Sequence, residues 1–157
     1  MKLARKSIYG IVIAISIAIL LVLVVYLLAF STVTVDGVVD HRVITGIANQ
    51  TQYTLVMITP WEVQILDPSL NNLFQGKGLN LTVDEALEQQ LLNHGYSEIG
   101  YQTSIRVSSK DPVNHLEPGD TMGYLVKRSD FNVLRMGASV EFEVQKGKTL
   151  WIADVHD

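Results

Sequence analysis

The sequence predicts a single N-terminal transmembrane helix followed by a mainly-β domain. Three observations carry that expectation: a 23-residue run from Ile8 to Phe30 without a charge or a proline, apolar residues at every second position in several later segments, and one helical signature over 83–93. The domain is expected to be a small antiparallel barrel, OB-like, with one helix; a β-sandwich is the alternative, because the number of strands suits either. The chain then divides into a cytoplasmic N-terminus over 1–7, a transmembrane helix over 8–30 and an extracytoplasmic β-rich domain over 31–157.

A helix over Ile8–Phe30 rises about 34 Å at ~1.5 Å per residue, enough for the ~30 Å hydrocarbon layer of a bilayer. In lipid, an uninterrupted helix satisfies its own backbone polar groups. Lys2, Arg5 and Lys6 precede the run, and the first charges after it are Asp36, Asp40 and Arg42. The positive-inside rule therefore places the N-terminus in the cytoplasm and the domain outside. The run exceeds the ~7–15 residue core of a cleaved signal peptide, which favours a retained signal-anchor over cleavage at Ala29 and Ser31. Gly10, Ala14 and Ala18 recur every fourth residue, a stripe along which another helix can approach closely. Gly and Ala are also common in spanning helices for no special reason. The partners expected are membrane lipid and, through the stripe, other membrane protein subunits or a second copy.

Beyond the span lie nine basic residues and all sixteen acidic ones, a net charge of −7. Such a domain repels phosphate backbones, and no basic stripe interleaved with aromatics offsets this, so nucleic acid is not an expected partner. The chain has no cysteine, which excludes disulfides, thiolate metal sites and cysteine nucleophiles together. The exported domain must be held by its core alone.

Taken in order, Ser31–Thr51 is rich in β-branched residues and reads as one long or bent strand, with Gly37 and Gly46 at bends. Leu55–Ile58 is a run expected to be covered on both faces. Beyond Pro60, Trp61, Val63 and Ile65 alternate with Glu62 and Gln64. The turn-rich stretch 67–81 is long for a compact domain and points to a functional or mobile loop. Thr82 with Glu85 three residues on makes a capping box for a helix over 83–93, with Val83, Ala86, Leu87 and Leu91 on one face and Gly95 as the stop. Alternation from Ile99 to Val107 marks the clearest strand, and 108–118 is turn material before another strand at 122–127. Lys146-Gly147 is a two-residue hairpin loop behind the strand 139–145. That loop pairs Val144 with Thr149, Phe142 with Trp151 and Val140 with Ala153, leaving Leu150 and Ile152 outside as an apolar pair that something covers.

No catalytic, cofactor or metal site is expected. His41, His94, His115 and His156 show no short ligand spacing, and Asp154 with His156 supplies two ligands on one strand face where a metal needs three or four. Asn49-Gln50-Thr51 and Asn80-Leu81-Thr82 are sequons, which makes Asn49 and Asn80 candidate glycosylation positions on the exported side. Thr82 has the helix cap as its competing role.

The run 108–144 resembles the β core of type I signal peptidases: Ser109 and Pro112, Gly119 and Asp120, Lys127, then Gly137 with Val140 and Phe142 follow in that family's order. The resemblance implies hydrolysis through Ser109. It covers under a quarter of the chain, lacks the methionine after the serine, and has two extra residues before the Gly-Asp turn. A serine nucleophile also needs a base in hydrogen-bonding reach, and spacing assigns neither Lys110 nor Lys127 to that task. A basic N-terminus, one span and an exported OB-like domain ending at His156-Asp157 is similar to the haem chaperone of cytochrome c maturation, which implies haem carriage at His156. The leading expectation is a non-enzymatic interaction protein, an accessory subunit of a larger membrane assembly. An enzyme or ligand carrier working through Ser109 or His156 is the competing class.

Overall fold

The computed structural model describes the backbone of residues 2–156 and, within the first helix, the side chains of residues 12–27 and Phe30. The packing role expected of Gly10 and the pairing of Asp157 with His156 lie outside the described residues. Helix α1 runs unbroken over Lys2–Phe30. Its described side chains are exposed, Ala14 and Ala18 among them. Among the described residues no helix is long and apolar enough to cross a membrane.

After the single residue Ser31 the chain enters β1 (Thr32–Ala48), on which the domain is built. The remaining elements are β2 (Thr51–Ile58), β3 (Val63–Ile65), α2 (Asn71–Phe74), α3 (Glu85–Asn93), β4 (Glu98–Val107), β5 (Thr121–Val126), α4 (Arg128–Val133), β6 (Ser139–Gln145) and β7 (Lys148–His156). The strands form one mixed sheet in the order β3-β2-β1-β4-β5-β7-β6, and β6 also pairs with β1. The lower half of β1, Thr32 to Val38, lies beside β6, and its upper half lies between β4 and β2. Five strands thus return to their start: β1, β4, β5, β7, β6 and β1 again. The weakest seam is the parallel contact of β5 with β7, a single pair, Leu125 with Trp151.

Gly37 sits where β1 passes from β6 to β4, paired with both Val140 and Val107. A Cβ there would lie 2.3 Å from Ile105 Cγ2 and 2.9 Å from the Arg106 carbonyl oxygen. This glycine is required by the close approach of β4, and the expected bend comes from the register shift just beyond it, between Val39 and His41. The expected single strand 31–51 in fact ends in a hairpin. Asn49 and Gln50 both take positive φ, 51° and 62°, and form its two-residue turn. Positive φ at both central positions is the geometry that suits the strand twist, usually signalled by Asn-Gly. Gln50 hides that signal.

Trp61, expected in an alternating strand, stands on the turn between β2 and β3 and is 87% exposed. The stretch 67–81 is folded rather than open: a 3-10 turn at Pro68–Leu70 and α2 bury Leu70, Phe74 and, beyond them, Leu81. Helix α3 forms where expected and buries Leu87 and Leu91. Its cap is Asp84, whose carboxylate accepts from Leu87 N at 2.7 Å, and not Thr82. The helix begins two residues later than the capping-box reading, because Val83 is held elsewhere: its N–H donates to Asn132 Oδ1 at 2.7 Å and its carbonyl accepts from Asn132 Nδ2 at 2.8 Å. Helix α4, with its buried Phe131, carried no cap or period strong enough to read in advance.

The hairpin of β6 and β7 turns on Lys146-Gly147 as expected, but its register does not persist. Gln145 faces Lys148, whereas the next pair is Val144 with Ile152, so Thr149, Leu150 and Trp151 are extra residues on β7. Three extra residues reverse the alternation. Ile152, expected outside, is 1% exposed and in the core, and Trp151, expected to face Phe142, is outside beside Leu150. The core they join contains Val35, Ile44, Ile105, Tyr124, Phe131 and Phe142, with Tyr124 set edge-on to Phe142 at 5.2 Å.

Candidate functional site

A groove of about 420 Å³ lies where the Glu98–Tyr101 end of β4 meets the Leu125–Arg128 end of β5 and the start of α4. Ile99, Tyr101, Leu125 and Val126 line it together with Gln52 of β2, Glu88 of α3 and Trp151 of β7. Tyr101 reaches it from the buried face of β4 that it shares with Ile105, and Trp151 from the bulge on β7. Tyr101 donates its hydroxyl to Glu88 Oε1 at 2.9 Å, and Arg128 of α4 pairs with the other oxygen of the same carboxylate. Burial, then the Glu88 carboxylate, raises the Tyr101 phenol above its ordinary value of 10.0, so it stays a proton donor. Glu98, Lys127 and Arg128 place both signs of charge on the rim. Such a groove suits a ligand with an apolar body and hydrogen-bonding edges.

Behind the groove, Arg42 of β1 is almost completely buried and has no carboxylate partner among the described residues. Its guanidinium donates instead to three carbonyls: Leu79 at 3.2 Å, Leu81 at 2.9 Å and Phe131 at 2.5 Å. It also stacks 4.0 Å from the Phe131 ring centroid, while its Nε–H finds no acceptor. Burial, with Arg135 nearby, lowers its pKa to about 10. Arg42 and Asn132 together bind the loop before α3 and the helix α4 onto β1. The signal for this residue was the one arginine in the β-branched run of β1, where strand alternation alone does not separate an inward arginine from an edge one.

The stretch 108–118 is organised by a second buried charge. Asp111 Oδ1 accepts from the N–H groups of Val113 and Asn114 at 2.8 and 3.1 Å, and Oδ2 accepts from Asn114 Nδ2 at 2.8 Å and the Tyr124 hydroxyl at 3.0 Å. The Asp-Pro-x-Asn sequence could have announced this turn.

The other expected positions are scattered. Ser109 Oγ accepts from Asp36 N at 2.8 Å and so fastens the loop to β1. Lys110 pairs with Glu117, and Lys127 flanks α4 at its N-terminus. His156 Nε2 lies 3.5 Å from Glu143 Oε1, and Asp154 Oδ1 accepts from Val155 N. His94 bonds Gln90 O through Nδ1 at 2.8 Å, His41 stands opposite Ser104 on the far side of the sheet, and His115 takes φ 58° in the loop. Among the described residues no three of His, Asp or Glu converge to hold a metal ion. Asn49 lies exposed on the β1–β2 turn, and Asn80 lies exposed beside the buried Leu81. Compared with known protein families, with curated proteins and with solved structures, the chain matches none.

Proposed function

We propose that this chain is a single-pass, membrane-anchored binding module, a non-catalytic accessory subunit that presents its β-domain outside the cell membrane. One observation carries the anchor: an apolar helix whose described side chains, those of residues 12–27 and Phe30, are exposed joins the domain through one residue. The uncharged run begins at Ile8 and continues past the described side chains, reaching spanning length. Lys2, Arg5 and Lys6 support a cytoplasmic N-terminus.

The five-strand circuit supports an OB-like barrel. Numbered in chain order as β1, β4, β5, β6 and β7, the third and fifth strands run parallel and α4 joins the third to the fourth, as that architecture requires. The elements β2, β3, α2 and α3 are then an insertion between its first two strands. The groove is lined by β4 and β5, the second and third strands in chain order and the pair that such barrels use for ligands, and it is the contact surface offered to a partner. Lateral packing through Gly10, Ala14 and Ala18 is the second contact.

The test is expression of the full chain in cells, followed by carbonate washing, protease treatment of intact cells and a mild-detergent pull-down. The chain stays with the membrane, the domain is digested from outside, and a second membrane protein copurifies. Release by carbonate refutes the anchor, protection of the domain refutes the orientation, and recovery as a lone monomer refutes the subunit role.

A further inference from the structure

The β6–β7 turn stands at the point where the chain leaves α1. Thr32, the first residue of β1, faces Gln145, and Lys146 N donates to the Ser31 carbonyl at 3.1 Å. With one residue between Phe30 and Thr32, this neighbourhood holds whatever the tilt of the helix. Every residue from Lys146 to Trp151 is exposed. In a domain of net charge −7, the stretch 146–153 carries Lys146 and Lys148 and no acid. Among the described residues, neither lysine forms an ion pair. The bulge on β7 then turns Leu150 and Trp151 outward, 51% and 43% exposed, before Ile152 regains the core.

A single exposed leucine or tryptophan is ordinary on a protein surface. Two lysines, a leucine and a tryptophan gathered beside the end of an apolar helix form a different pattern. Lysine is drawn to anionic lipid surfaces within about a Debye length, and tryptophan settles at headgroup depth, where its ring is apolar and its N–H remains wet. We propose that the β6–β7 turn rests on the bilayer that holds α1, with Lys146 and Lys148 against anionic headgroups and Leu150 and Trp151 in the interfacial layer. The inference depends on the reading of α1 as an anchor. Contact at this second point would restrict rotation of the domain about the helix and give the β4–β5 groove, whose wall includes Trp151, a set height above the membrane.

The chain has two tryptophans, so Trp61→Phe leaves Trp151 alone and Trp151→Phe leaves Trp61 alone. The full-length variants are reconstituted into vesicles of phosphatidylcholine, with and without phosphatidylglycerol, carrying bromine on the upper acyl chain. Flotation of the vesicles reports insertion. The expected result is flotation of both variants, loss of Trp151 emission to bromine, and retention of Trp61 emission, with Trp151 shielded from aqueous iodide. Adding Lys146→Gln and Lys148→Gln should weaken the quenching of Trp151 in the phosphatidylglycerol vesicles. Flotation with Trp151 open to iodide and untouched by bromine overturns the inference and leaves the anchor standing. Failure to float overturns the anchor and the inference with it.

Discussion

Replacement of Arg42 by methionine is the sharpest probe of how the domain is held together. The substitution keeps an unbranched apolar stem and removes the guanidinium with every donor it carries, so the carbonyls of Leu79, Leu81 and Phe131 lose their partner inside the protein. A buried polar group stripped of its partner costs about 1–3 kcal/mol, so three of them give a gross loss of about 3–9 kcal/mol. Against this, the variant no longer buries a guanidinium whose Nε–H is unpaired, which returns about 1–3 kcal/mol. The two ranges leave a net destabilisation centred on about 4 kcal/mol, a large share of the about 5–15 kcal/mol that holds a domain of ordinary stability. In urea, at a slope of about 2 kcal/mol per M, the unfolding midpoint of the full chain in detergent should fall by about 1.5–2.5 M. Arg42→Lys keeps the charge but cannot span three carbonyls with one ammonium, so its midpoint should fall by about half as much. A methionine variant within about 0.5 M of the parent would refute the reasoning, because the three bonds would then contribute nothing beyond packing.

Three other outcomes follow from the same geometry. Gly37→Ala forces a Cβ against Ile105 and the Arg106 carbonyl and should destabilise by about 3 kcal/mol, read as a lower thermal midpoint. Asp111→Ala strands two backbone N–H groups, an amide and the Tyr124 hydroxyl; stability should fall by at least about 3 kcal/mol, and protease should cut within 108–118 before the rest of the domain. Tyr96, Tyr101 and Tyr124 are all raised above 10.0, chiefly by burial, Tyr96 to about 12 with Asp67 as its bonded acceptor. In the folded state these phenols hold protons that the unfolded chain releases, so their contribution is complete below pH 10 and lost as pH climbs through the folded values. A phenolate absorbance titration should show a late group among the six tyrosines. Glu88→Gln should move Tyr101 towards lower pH while burial keeps it above 10.0, with little change in stability because the Glu88–Arg128 pair is partly exposed.

Arg42 is also the point at which sequence reading stops. Period-two alternation recovers β4 because each of its residues keeps the same face from Ile99 to Val107. On β7 the same rule succeeds at the Lys146-Gly147 turn and then places Ile152 on the wrong face, since three bulged residues shift the alternation. The α3 cap shows a related limit. Thr82 and Asp84 both carry capping side chains, and the choice fell to Asp84 because Asn132, 49 residues away, holds the backbone of Val83.

The sequence by itself determined what is local: an uncharged helical run with its basic flank, the strands that alternate without interruption, the existence of a helix that ends at Asn93 and the position of the last hairpin turn. Tertiary structure decided which strands meet, that the long β1 serves three partners, that Arg42 and Asp111 are buried on carbonyls and amides, and that Trp151 rather than Ile152 faces outward. Periodicity records burial along one strand only while its register is unbroken. A buried charge, by contrast, is tolerated only by acceptors or donors that distant segments bring to it, and no window of neighbouring residues contains them.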